Sequence, residues 1–139
     1  MTSEEQCKNY VTFLELLLKA KHQLVAIGNE FGLTGMQTFT LVLTDPDELQ
    51  PMNNLCSVFC CDASNVTGII DGLEQKKLAR RQNHPKDRRI KVVQLEPEGL
   101  KVRTQIMRRL TGRYSELFGK LTDAETKQLV ALLEKLAQN

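Results

Sequence analysis

Three features of the sequence predict a mainly α fold broken by one short β-hairpin: a winged helix-turn-helix lobe between helical flanks. The first is a helix, a tight turn and a second helix led by small polar residues, over residues 52–76. The second follows at once. From Leu73 to Leu95 the chain holds Lys76, Lys77, Arg80, Arg81, Lys86, Arg88, Arg89 and Lys91 against only Glu74 and Asp87, although the formal net charge of the whole chain is +2. The third is a strongly apolar helix at each end of the chain, more apolar surface than one small lobe needs to cover itself.

The elements follow in order. Residues 3–27 read as a helix capped by Ser3, with Glu4 and Glu5 at the positive end of its dipole. Its stripe is Tyr10, Phe13, Leu14, Leu17, Leu18, Leu24 and Val25, and Gly28-Asn29 is expected to stop it. Thr34 caps a second helix with Met36, Phe39, Thr40 and Leu43 inward, ended by Asp45-Pro46-Asp47. A loop over 45–51 leads into a short helix, 52–59, with Leu55 and Phe59 on its apolar face. Cys60-Cys61 turns the chain, and Asp62 caps a helix over 63–76 that buries Val66, Ile69, Ile70 and Leu73. Gln82 to Lys86 is a polar turn around Pro85 between two strands, the second over 90–95. After Pro97-Glu98-Gly99 one long helix is expected to about Lys120, with Leu100, Met107, Leu110, Tyr114, Leu117 and Leu121 in heptad spacing. Thr122 to Glu125 is a capping box opening the last helix, which carries Leu129, Val130, Leu132, Leu133 and Leu136.

The positive charge calls for an anionic partner. Exposed Ser64, Asn65, Thr67 and Gly68 lead the second helix of the pair, and Ser, Thr and Asn hydrogen-bond base edges and phosphates at close approach. A basic hairpin tip can follow a nucleic-acid backbone or enter a minor groove. Each part also has a plainer reading: a solvated hairpin, an ordinary helical hairpin, and end helices that close on each other within one monomer. Low aromatic content, 5% with no Trp, argues against stacking platforms for single strands. No apolar run is long enough for a transmembrane helix, and the polar, acidic start is unlike a signal peptide, so a cytoplasmic protein is expected. Cys7, Cys56, Cys60 and Cys61 lack zinc spacing and are expected to be free thiols, the last three as small core residues. Neither a nucleotide loop nor a metal cluster is visible, so no cofactor and no enzyme activity are expected.

These residues resemble the MarR family of transcription regulators. Leu55 to Arg81 is similar to that family's helix-turn-helix and strand entry, Asp87-Arg88-Arg89 to its Asp-x-Arg wing signature, and Leu33-Thr34 with Gln37 to its Leu-Thr-x-x-Gln helix entry. The resemblance implies one MarR-like domain over 1–139, with a DNA-binding lobe at 33–96 and dimerisation helices at 1–30 and 97–139. It implies a homodimer on double-stranded DNA with a pseudo-palindromic operator, held through Tyr10, Phe13, Leu17, Leu110, Tyr114, Leu117, Leu129 and Leu133. The implied DNA-binding set is Ser64, Asn65, Thr67, Gly68, Arg81, His84, Lys86, Asp87, Arg88 and Arg89, with Asp87 holding the wing while Arg89 reaches the minor groove. It also implies release by a small lipophilic or phenolic effector, or by an oxidant, for which Cys7 near a helix N-terminus is the redox candidate. The other function class compatible with the sequence is a winged-helix protein-interaction module. Three positions depart from the family pattern: Gly68 where Arg is frequent, and Lys77 and Cys60 where Gly is common.

Overall fold

The computed structural model describes residues 1–138. The elements run α1 (Ser3–Glu30), α2 (Gly35–Leu43), β1 (Gln50–Pro51), α3 (Met52–Phe59), α4 (Ala63–Gln75), β2 (Ala79–Asn83), β3 (Lys91–Leu95), α5 (Pro97–Gly112), α6 (Tyr114–Phe118) and α7 (Asp123–Ala137). The fold is the mainly helical winged helix that the sequence predicts.

Two boundaries of α1 differ from expectation. The cap is Thr2, not Ser3: the Thr2 hydroxyl accepts from the Glu5 N–H at 3.1 Å, and the Glu5 carboxylate accepts from the Thr2 N–H at 2.7 Å. The helix also runs through Gly28-Asn29 to Glu30. Gly28 is there for close approach, because a Cβ would overlap the Thr38 side chain of α2. The turn falls instead at Gly32, with φ +72°.

That close approach also decides which face of α2 is buried. Gln37, Thr38, Thr40 and Leu41 point inward, whereas Met36 and Leu43 are exposed and Phe39 is half-buried. Thr38 and Thr40 can be buried because their hydroxyls donate to the carbonyls of Thr34 and Met36, each at 2.8 Å, leaving no polar group unpaired. Arg103 of α5 donates to the carbonyls of Leu41 and Val42, each at 3.1 Å, satisfying the end of α2 and fixing α5 to it.

The sheet is antiparallel in the order β1-β3-β2. Ala79 pairs with Leu95 and Asn83 with Lys91, so Gln82 and Asn83 belong to the strand and the loop is confined to residues 84–90. The two-residue β1, which pairs Gln50 with Val93 and Pro51 with Val92, lies where a loop is expected. It is an edge strand, a position that tolerates Pro. The lobe core joins Leu24, Ile27, Leu33, Leu41, Leu55, Val66, Ile70, Leu73, Val93 and Ile106.

The expected long helix is broken. α5 ends at Gly112, Arg113 leaves helical geometry at φ −103° and ψ 9°, and α6 follows as a short separate turn. Gly is a poor helix former, and the break divides the heptad stripe. The fully buried contact of α5 is Ile106, which lies outside that stripe. At the flanks, Tyr10, Phe13, Leu17, Tyr114 and Leu133 are exposed, while Leu117 and Leu129 are half-buried. Leu110 packs against the chain's own core. Among the described residues no helix is long and apolar enough to cross a membrane.

Candidate nucleic-acid interface

The helix-turn-helix is built on a tight C-cap. After α3, Cys60 takes the left-handed conformation (φ 50°, ψ 42°), the Cys60 N–H donates to the Ser57 carbonyl at 3.3 Å and the Cys61 N–H to the Cys56 carbonyl at 3.1 Å. This is a Schellman turn, with cysteine in the place that favours glycine. Cys60 is exposed, contrary to its expected role as a core residue; Cys56 and Cys61 do pack against the core. Burial pushes the Cys61 thiol upward, with Cys56, Asp62 and Cys60 adding to the shift.

Asp62 then opens α4. Its carboxylate accepts from the Asn65 N–H and the Ser64 hydroxyl, both at 2.9 Å, and the Asn65 bond foremost holds the Asp62 carboxyl below the usual range. Ser64, Asn65 and Gly68 are exposed on the outer face of α4, and Thr67 is half-buried. The Ser64 proton is committed to Asp62, so that hydroxyl faces outward as an acceptor. A Cβ at Gly68 would meet nothing within 4 Å, so this face is open.

The wing places its charges in two ways. At the root, Arg81 is turned inward. Its Nη2 donates to Asp71 and its Nε lies 2.8 Å from Glu74 Oε1, an ion pair outside hydrogen-bond geometry. Both acids stand on α4, so Arg81 ties wing to helix and is not a free cation. At the tip, Arg89 donates through Nε and Nη2 to the two oxygens of Asp87, each at 3.1 Å, and the Arg89 backbone N–H adds a third bond to Asp87 at 3.1 Å. The Arg89 side chain is still 90% exposed. The fork lowers the Asp87 pKa below the carboxylate range and raises that of Arg89. His84 Nδ1 accepts from the Lys86 N–H at 3.0 Å, which shapes the loop. The side chains of Lys86 and Arg88 are exposed and make no hydrogen bond or ion pair among the described residues.

Between α3, α4 and the wing runs a groove of about 560 Å³ lined by Met52, Asn53, Ala63, Thr67, Arg81, Gln82, Arg89, Ile90 and Lys91. Asn53, Gln82 and Lys91 are polar lining residues outside the expected set. The structure thus brings Thr67, Arg81 and Arg89 to one groove, with Ser64, Asn65 and Gly68 on the adjoining helix face. Cys7 is exposed in the first turns of α1, remote in sequence from this groove, and His22 is exposed on the same helix.

A helix pair with an open second helix, flanked by a wing carrying a clamped but exposed arginine, is the geometry of a winged helix-turn-helix. The MarR family model matches residues 37–91, from α2 to the start of β3. That match to the MarR family spans fewer than half of the chain's residues and covers the helix-turn-helix and the wing. It is 24% identical over 90 residues to the HTH-type transcriptional regulator MhqR of Bacillus subtilis (strain 168), a match covering 65% of this chain and 62% of that protein, under two thirds of its length. Its fold is similar to that of the transcriptional regulator BldR from Sulfolobus solfataricus, with a TM-score of 0.80 at 24% identity over 98% of this chain and 97% of that one. It is also similar to a cysteine-to-serine mutant of MarR from E. coli complexed with operator DNA, with a TM-score of 0.78 at 22% identity over 96% of each chain.

Proposed function

We propose that this chain is a transcription regulator that binds a pseudo-palindromic operator in double-stranded DNA as a homodimer and represses by occupying it. The observation that carries this reading is the Asp87–Arg89 fork, an arginine oriented by two side-chain bonds yet 90% exposed, beside the open face of α4. A pre-aimed guanidinium suits a narrow A·T minor groove, while Ser64, Asn65 and Thr67 suit base edges in the major groove. His84, Lys86 and Arg88 supply phosphate contacts that set register. The MarR relative bound to operator DNA supports the same use of the fold. The exposed faces of α1, α6 and α7 (Tyr10, Phe13, Leu17, Tyr114 and Leu133) are apolar surface of the kind a dimer covers. A small lipophilic or phenolic effector, or oxidation at exposed Cys7, would complete the cycle by releasing the operator.

The test is binding to duplexes selected from a random pool, titrated with salt. Affinity is expected to fall steeply with salt, and Arg89→Ala to flatten the log–log slope by about 0.9, one phosphate's worth or less if the contact is to a base edge. Absence of salt-sensitive binding by a folded dimer would sink the reading. A second reading, a module docking on an acidic protein surface, draws support from the inward use of Arg81. It predicts that Arg89→Ala leaves DNA affinity unchanged.

A further inference from the structure

Lys76 belongs to the basic stretch but does not face the groove. Its ammonium donates to the Gly32 carbonyl at 2.6 Å and to Gln37 Oε1 at 2.7 Å. Gln37 is only 8% exposed. The same Oε1 accepts from the Thr34 N–H at 3.1 Å, and the amide Nε2 lies against α4 where Gly72 has no side chain; a Cβ there would strike it. One buried amide therefore meets the α1–α2 turn, the entry to α2 and the last turn of α4. Lys76 is the C-cap of α4, where a cation suits the negative end of the helix dipole.

We infer that Gln37 and Lys76 form the joint that sets the tilt of α4, making Lys76 a positioning residue and not a DNA contact. This rests on the reading of α4 as the recognition helix. The apolar contacts of Val66, Ile70 and Leu73 also hold α4, but such burial is non-directional, whereas short bonds to fixed oxygens define an angle. The lever is long: Asn65 lies eleven residues before Lys76, about 16 Å along the axis, so a tilt of about 5° moves it about 1.4 Å. That displacement is enough to take a donor out of the 2.7–3.2 Å range.

The experiment compares the whole chain with Lys76→Met and Gln37→Glu on a selected duplex and a scrambled one. Lys76→Met keeps the stem but removes the charge, and Gln37→Glu keeps the acceptor. Lys76→Met is expected to weaken the selected duplex by about tenfold, the discrimination of roughly one base contact. Its scrambled-duplex affinity should stay within about twofold, with the salt slope unchanged. Gln37→Glu is expected to stay near wild type, which a generally loosened fold would not explain. A slope flattened by about 0.9 would make Lys76 a phosphate contact and overturn the joint. Unchanged selectivity in Lys76→Met would overturn it too. If the wild type binds no duplex, the DNA reading itself fails, and amide hydrogen exchange decides the joint. Faster exchange across α4 in Lys76→Met, with wild-type rates kept in Gln37→Glu, supports it, and unchanged exchange in Lys76→Met refutes it.

Discussion

Replacing Cys60 and Lys77 together by glycine is expected to stabilise the fold. Both residues are held at positive φ, 50° and 60°, at the two approaches to α4. A left-handed non-glycine residue costs about 1–2 kcal/mol from the contact between its Cβ and the following carbonyl. Glycine relieves that cost but gives back about 0.4–1 kcal/mol by loosening the unfolded chain. The net gain is about 0.5–1 kcal/mol at each site. Thirteen residues of α4 separate the two turns, about 20 Å, far enough for the effects to add. A chain of this size should gain about 3 °C in Tm per kcal/mol, so the double variant should melt about 3–6 °C higher. The assay is thermal unfolding followed by circular dichroism at one fixed protein concentration, since association makes Tm concentration-dependent. Gly32→Ala is the reciprocal control: its φ is +72° and its Cβ would meet nothing within 4 Å, so only the backbone penalty applies and Tm should fall. A lower Tm in either single glycine variant, with Gly32→Ala neutral, would refute the strain argument.

Asp87 has its carboxyl lowered by the Arg89 fork, so its contribution is present above the ordinary carboxylate pKa and is lost only as pH falls through the lower folded value. The Arg89 Nε–H resonance should accordingly hold its bonded shift down through the usual carboxylate range, and lose it at neutral pH in Asp87→Asn. Gly28→Ala drives a Cβ into Thr38 and should destabilise by about 1–3 kcal/mol, read by denaturant titration. Gly68→Arg meets open space; it should raise helix stability by about 0.8 kcal/mol and, on duplex DNA, steepen the salt slope by about 0.9 in the same titration as Arg89→Ala.

The elements were legible where a local rule sets them. Thr122 with Glu125 forms the capping box its spacing announces, and Thr34 and Asp62 cap α2 and α4 as read, with Gln37 completing a second box at Thr34. The departures marked at Cys60 and Lys77 are the two positive-φ side chains of the chain's described residues. Tertiary partners decided the rest. Gly28 looks like a stop signal because sequence does not reveal that Thr38 sits against it. β1 is too short to carry an alternation, and its pairing is made by β3, about forty residues away. The basic stretch was legible as a count but not as a direction. Arg81 and Lys76 are drawn inward by Asp71, Glu74, Gln37 and a backbone carbonyl, whereas Arg89 is held outward by its near neighbour Asp87.

Arg81 bears on how a duplex would be measured. Its guanidinium bridges to two acids on α4, so the wing and that helix share one rigid root. Two probes on a common root have a fixed gap, like the jaws of a caliper set and locked before use. If α4 and the wing contact a duplex as proposed, a gap held in this way resists adjustment to the groove spacing, and misfit would be taken up by bending or twisting the nucleic acid. Base steps that deform at little energetic cost are then favoured even where no side chain touches them. Loosening the root by Arg81→Gln should broaden the range of duplexes accepted while weakening the best of them.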